Sequence, residues 1–225
     1  MEFIECIKKF NRKERYFLVK YAMSGEEDGS KDDGFKLADN FKISLDECLK
    51  EALGDIKIPE NAYATMDYHL DWIYASLELA FNNKKFDDAY LRDEACISAT
   101  QEDIDFIIVF EDSQDKGSYH IILIEAKADT SWSNSQMESK CVKRFPAIFG
   151  QDKPWYGKVK PHLVLMSPAR HQKLQCDTWE KWMVKTDGDP YFMRLPYPSE
   201  RYYITRCLDD KKTPSREGKF WKITE

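Results

Sequence analysis

The sequence predicts an α/β protein in which a mixed central β-sheet is flanked by helices and preceded by a helical addition over residues 1–60. Three observations carry this. Apolar residues recur at helical spacing through the first third of the chain. Two continuous β-branched runs follow, joined by Asp115-Lys116-Gly117, and beyond them a helical pattern and a short apolar run alternate once more.

Each element follows from a local pattern. Residues 10–23 read as a helix, with Phe10, Phe17, Leu18 and Tyr21 on one side and Lys13, Glu14 and Lys20 elsewhere, ending in the acidic loop 25–34. Ser44, three residues before Glu47, is a capping-box pattern that opens a helix over 45–53, with Gly54 as its terminator. Met66, Leu70, Ile73, Leu77 and Phe81 then predict a third helix over 66–81. After Asn82-Asn83-Lys84-Lys85 the composition becomes strand-like, weakly at 95–99 and strongly at 106–110. The run 119–124 pairs with 106–110 as an antiparallel hairpin. A helix over 134–145 stops before Pro146, a buried strand covers 163–166, and the remainder holds a helical turn at 179–184, a breaker at 187–190 and strand-like runs at 202–207 and 220–224. No repeat and no Gly/Ser/Pro-rich linker divides the chain, so one domain over 1–225 is the economical reading, with its core at 66–167 and a C-terminal elaboration at 168–225.

Composition narrows the function classes. With 225 residues, 42% apolar and 14% aromatic, the chain can bury one substantial core and is not disordered. Apolar runs such as 121–124 fall far short of the roughly 20 residues a spanning helix needs, and the start lacks a basic signal-peptide pattern, so the expected location is cytoplasmic and away from membranes. Six cysteines contain no CxxC pair, which excludes a zinc knuckle and predicts buried thiols. The four histidines form no HxH or HExxH motif and read as structural; no phosphate-binding glycine loop or Gly-x-Ser-x-Gly elbow occurs. A net charge of −6 argues against a protein that coats nucleic acid by charge alone, yet residues 134–185 carry ten basic against four acidic residues. That segment is either a solvated lysine face or a phosphate-facing surface.

The chemistry concentrates at the hairpin ends. Asp105 opens one strand; Glu125-Ala126-Lys127 closes the other, and strand alternation puts Glu125 and Lys127 on one face. If the register sets Asp105 beside Glu125, two like charges converge and a divalent cation relieves their repulsion. The competing reading is a salt bridge between Glu125 and Lys127 or a neighbour.

Asp105 together with Ile124-Glu125-Ala126-Lys127 resembles the PD-(D/E)xK nuclease superfamily, with Ile104 standing where the eponymous Pro would be. The resemblance spans 66–167. It implies a restriction-endonuclease-like core running helix, three strands, helix, strand; Asp105 and Glu125 as ligands of Mg²⁺ or Mn²⁺; and Lys127 as the group that positions water or phosphate. The implied activity is metal-dependent hydrolysis of DNA phosphodiester bonds by an endonuclease of restriction or repair type. The alternative is a catalytically inactive restriction-like fold that serves as a nucleic-acid or protein binding module.

The same resemblance suggests supporting residues. Asp67, Asp71, Tyr74 and Glu78 form a polar stripe on the 66–81 helix, from which Asp71 or Glu78 would supply a further acid to the metal, or which is simply solvated. Asp103 is a second acid at the site or a turn residue. Gln136 lies where relatives carry a supporting Gln or Lys, and Ser133-x-x-Gln136 is also a capping box. Lys140, Lys143 and Arg144 make the following helix basic and are the expected phosphate contacts, while Trp132 packs or stacks on a base. Cleavage of both DNA strands with one site per chain would need a homodimer.

Overall fold

The computed structural model describes residues 1–98, 102–128, 132, 137–170, 174–198, 200–210 and 213–224. Two compact units divide the chain, Met1–Leu195 and Pro196–Glu225. In the first, helices α1 (Phe3–Phe10), α2 (Glu14–Ser24), α3 (Asp39–Cys48) and α4 (Lys50–Leu53) precede strand β1 (Tyr63–His69) and helix α5 (Leu70–Phe81). Strands β2 (Asp103–Glu111) and β3 (Tyr119–Ala126) form the hairpin; a π-helix (Glu138–Arg144) runs into α6 (Phe145–Phe149), then β4 (Val159–Ser167), a 3₁₀ turn (Lys181–Met183) and β5 (Tyr191–Arg194). The second unit is an antiparallel hairpin of β6 (Tyr203–Cys207) and β7 (Phe220–Thr224).

The fold is α/β, with a five-stranded mixed sheet of order β1-β2-β3-β4-β5 flanked by helices. β2 runs antiparallel to both of its neighbours, β1 and β3; β4 joins β3 in parallel and β5 joins β4 in parallel. Alternation along each strand divides the apolar residues between two layers. Ile107, Val109, Ile121, Leu123, Leu163 and Leu165 pack with Phe3 and Ile7 of α1, Ile73 and Leu77 of α5, and Phe145 and Ile148 of α6. Ile108, Phe110, Ile122, Ile124, Val164 and Met166 pack with Leu45, Leu49 and Leu53 of α3 and α4. Both faces are covered, which accounts for the near-continuous apolar composition of the central strands. No described helix is long and apolar enough to cross a membrane.

Several sequence expectations change. Residues 66–69 are strand rather than helix, so α5 lies between β1 and β2 instead of ahead of three strands. Met66 matches the helical period by coincidence, and the periodic stripe belongs to 70–81. The helix expected over 10–23 breaks at Asn11, whose buried amide donates to Tyr63 Oη, Thr65 Oγ1 and Asp32 Oδ2 at 3.1–3.2 Å. Ser44 sits inside α3 and bonds back to the Asn40 carbonyl, so it caps nothing. Gly25 and Gly54 do end α2 and α4, both at positive φ. Pro146 falls in the first turn of α6, where its missing N–H costs little, so the helical segment continues past it. Residues 95–98 form no strand, and β5 was hidden by its four-residue length behind the 187–190 breaker. The six cysteines are unpaired, four of them buried.

Candidate active site

The register of the hairpin brings its two terminal acids together. The β2–β3 ladder closes on Phe106 and Ile124, and the next residues of the two strands, Asp105 and Glu125, lie close enough for the Asp105 charge to act on Glu125. Asp105 Oδ2 accepts the Ala126 backbone N–H at 2.7 Å. The Lys127 N–H donates to the Met166 carbonyl, which ties the end of β3 to β4. Acid, acid and lysine therefore share one end of two interior strands, which neighbouring strands flank on both sides.

Glu125 is only 6% exposed. Burial pushes its carboxyl above the usual range; Lys140 pulls it back, the neighbouring Asp105 charge pushes it up again, and Lys127 adds a smaller opposing pull. Lys140 is the direct partner: its Nζ donates to Glu125 Oε2 at 2.7 Å and to the Asp103 carbonyl at 2.6 Å. Lys127 is half-buried and has no ion-pair partner among the described residues. Each carboxylate thus has one oxygen engaged by the protein, Asp105 Oδ2 and Glu125 Oε2, and one, Asp105 Oδ1 and Glu125 Oε1, with no hydrogen bond among the described residues.

The other expected residues fall into separate groups. Arg144 is not a surface cation. Its side chain is 5% exposed, and it donates to Asp71 Oδ1 at 2.6 Å, Ser98 Oγ at 2.6 Å and the Cys96 carbonyl at 3.0 Å. This replaces both expected roles, since the guanidinium is unavailable to a phosphate backbone and Asp71 is its counter-ion rather than a member of the Asp105–Glu125 group. Lys140 likewise points into the protein, which leaves Lys143 as the exposed member of the basic trio. Glu78 accepts from Tyr74 Oη and Asn82 Nδ2, both at 2.7 Å, and is also occupied elsewhere. Asp103 turns its carboxylate to Lys13 Nζ at 2.9 Å, with His69 Nδ1 2.5 Å from its other oxygen. Trp132 is buried, so it packs. Gln136 lies outside the described residues.

Two features at this end of the strands escaped the sequence. Asp67 adopts φ +51° within β1, and the β1–β2 ladder skips it, passing from Met66↔Phe106 to Tyr68↔Ile104. Beyond that point Tyr68 and Ile104 join the α5-side layer, whereas Ala64 and Ile108 before it face α3. Both strands therefore rotate where Asp105 stands. The second feature is the Lys140–Glu125 pair, whose only sequence signal is that Lys140 lies one residue before the apolar Cys141.

No protein-family model matches this chain, and neither the curated proteins nor the solved structures contain a match.

Proposed function

We propose that the chain is a metal-dependent nuclease that hydrolyses DNA phosphodiester bonds, an endonuclease of restriction or repair type with a restriction-endonuclease-like core. The observation that carries this reading is the convergence of Asp105 and Glu125 at the end of the β2–β3 hairpin, where Asp105 takes the Ala126 N–H beside Glu125, with Lys127 two residues on and unpaired among the described residues. Nothing outside the chain supplies the assignment; it rests on these residues and on their resemblance to the PD-(D/E)xK pattern.

The donor set fits a divalent cation of the Mg²⁺ or Mn²⁺ kind. Asp105 Oδ1 and Glu125 Oε1 are hard oxygens left over after the protein has fixed their partners, and fixing one oxygen of each carboxylate orients the other. When bound, the metal supplies charge neutralisation at the phosphoryl oxygens and lowers the pKa of a bound water. The chain's own contribution is positional. Asp105 and Glu125 would hold the ion at the ends of β2 and β3, and Lys127 would bring a compact positive charge to the phosphate or the attacking water. The exposed Lys143 meets the backbone of the substrate.

One observation favours the alternative of an inactive restriction-like fold acting as a binding module. The Lys140 ammonium already compensates Glu125, so this acid needs no metal to be buried. Incubation of the purified chain with plasmid, linear and single-stranded DNA, with and without Mg²⁺ or Mn²⁺, separates the two. Metal-dependent cleavage that falls at least about 100-fold in a folded Glu125→Gln variant supports the nuclease. DNA binding without cleavage under any metal assigns the binding module, and cleavage that survives Glu125→Gln in full removes these residues from the chemistry.

A further inference from the structure

At the opposite end of β3 and β4 from Glu125, four polar side chains form a chain, three of them buried. Lys160 Nζ donates to Asp112 Oδ2 at 2.6 Å, and Asp112 Oδ1 accepts the Gln114 N–H at 2.8 Å. Asp112 Oδ2 also lies 3.1 Å from His120 Nε2, and His120 Nδ1 lies 2.8 Å from His162 Nε2. Asp112, His120 and His162 are all buried, the His120 ring lies nearly parallel to that of Phe110, and it meets His162 edge to edge in nearly the same plane.

The proton positions along this chain follow from its anchored end. An ionised carboxylate only accepts, and with an ammonium and a backbone N–H on it Asp112 is held well below the usual carboxylate range against its own burial. His120 Nε2 must therefore carry the hydrogen. Burial keeps His120 neutral, so its Nδ1 has the lone pair and His162 Nε2 has the hydrogen that fills it. His162, also held neutral by burial and by the neighbouring His120 and Lys160, is left with a lone pair on Nδ1. The one side-chain hydrogen bond of His162 among the described residues is at Nε2, and the residue lines an open cavity of about 770 Å³. The network converts an imidazole into a fixed hydrogen-bond acceptor.

The rest of the wall has a consistent chemistry. Tyr156, Trp182 and Tyr191 contribute ring surface, with Tyr156 56% exposed. Lys160 and the exposed Lys181 contribute positive charge, opposed by the exposed Glu180. An acceptor, flat apolar surfaces and an ammonium in one cavity of ligand size match a planar ring that bears an N–H donor and is joined to an anionic group.

We propose that this cavity binds a nucleotide, its base donating to His162 Nδ1 and resting against Tyr156 and Trp182, its phosphate meeting Lys181. The ligand is either a free mononucleotide or a nucleotide within a strand, which share this chemistry. The proposal does not rest on the Glu125 site, which lies at the other end of the same strands.

Calorimetric titration of the full chain with AMP, GMP, CMP and UMP, with adenosine, with inorganic phosphate and with a 5′-phosphorylated dinucleotide tests it. At least one mononucleotide binds; Lys181→Ala weakens it at least about threefold while leaving the nucleoside unchanged, and Tyr156→Ala weakens both. Both variants alter exposed side chains, so the fold survives them. His162→Phe, which removes the lone pair but keeps a buried ring, abolishes base preference, and Glu125→Gln leaves binding intact. Tighter binding of the mononucleotide than of the dinucleotide assigns a free ligand; the reverse assigns a strand. Absence of binding by every nucleotide up to about 5 mM, phosphate alone matching the nucleotides, or equal affinity in wild type, Lys181→Ala and Tyr156→Ala overturns the proposal.

Discussion

Replacing Lys140 by Met removes the ammonium while keeping most of the side-chain volume, which isolates the charge on which Glu125 depends. The two side chains are 12% and 8% exposed and meet at 2.7 Å, so this is a buried pair. Breaking such a pair by deleting one partner costs about 3–5 kcal/mol, because the remaining charge has no compensation. Here the cost sits near the lower end, about 3 kcal/mol, since Glu125 can take up a proton instead. In a chain of this size that lowers the melting temperature by roughly 6–12 °C. The loss grows with pH. An acid whose folded pKa is raised above its unfolded value of about 4.3 costs stability progressively as pH rises through the interval between the two, so the variant suffers more at pH 8 than at pH 5. In a Glu125→Gln background the same replacement costs only about 1 kcal/mol, for the bond to the Asp103 carbonyl. Under the proposed metal site, Mg²⁺ at Glu125 and Asp105 would take over the compensating role, returning about 2.7 kcal/mol at a hundredfold excess over Kd. The assay is thermal unfolding of the four proteins at both pH values with and without Mg²⁺ at matched ionic strength. A Lys140→Met protein as stable as wild type, or equally destabilised in the Glu125→Gln background, refutes the coupling.

Lys143→Ala weakens DNA binding similarly for all sequences and reduces the log-log salt slope by about one unit, as expected when a single cation no longer meets its phosphate; filter binding across a salt series checks this. Asp105→Asn shrinks the rise in melting temperature caused by Mg²⁺ and leaves the metal-free melting temperature equal to wild type or higher, because the like charge beside Glu125 is gone; calorimetric unfolding with and without metal reads both. His162 has its pKa pushed down to about 3 by burial and by the neighbouring His120 and Lys160. Its unfolded value is near 6.5, so its contribution is complete above that pH and falls away on acidification, by about 2 kcal/mol between pH 6.5 and 5. His162→Phe flattens that part of the stability profile, and an unchanged slope excludes His162 as the group responsible.

How far the sequence reveals this molecule depends on how local the determining interaction is. The β2–β3 hairpin was legible because it is a local object: two apolar runs and one turn fix a register, and the register fixes which ends approach. Lys140 and Arg144 were misplaced because a lysine or arginine on a helix looks solvated until its partner is known. Their partners, Glu125 and Asp71, lie 15 and 73 residues away. β1 was obscured because Met66 is in phase with the helix that follows it. The histidine chain left a faint trace, since His120 and His162 each immediately precede four apolar residues, Ile121–Leu123 with Ile124 and Leu163–Leu165 with Met166. Only the parallel pairing of β3 with β4 makes that coincidence a contact.

The π-helical turn Glu138–Arg144 gives segment length a chemical meaning. Its wider winding carries Cys141 and Arg144 into the interior and delivers Lys140 to Glu125, while Phe145, Ile148 and Phe149 of α6 are pinned in the layer behind. With the downstream end clamped, the number of residues upstream sets the angle at which the ammonium arrives. Removing one residue would let the turn tighten to ordinary α-helical winding and rotate Lys140 off its acid while Phe145, Ile148 and Phe149 stay in their layer. Insertions and deletions in this stretch thus act as point changes at the acid pair, and the local count of residues is as much a part of the site as their identities.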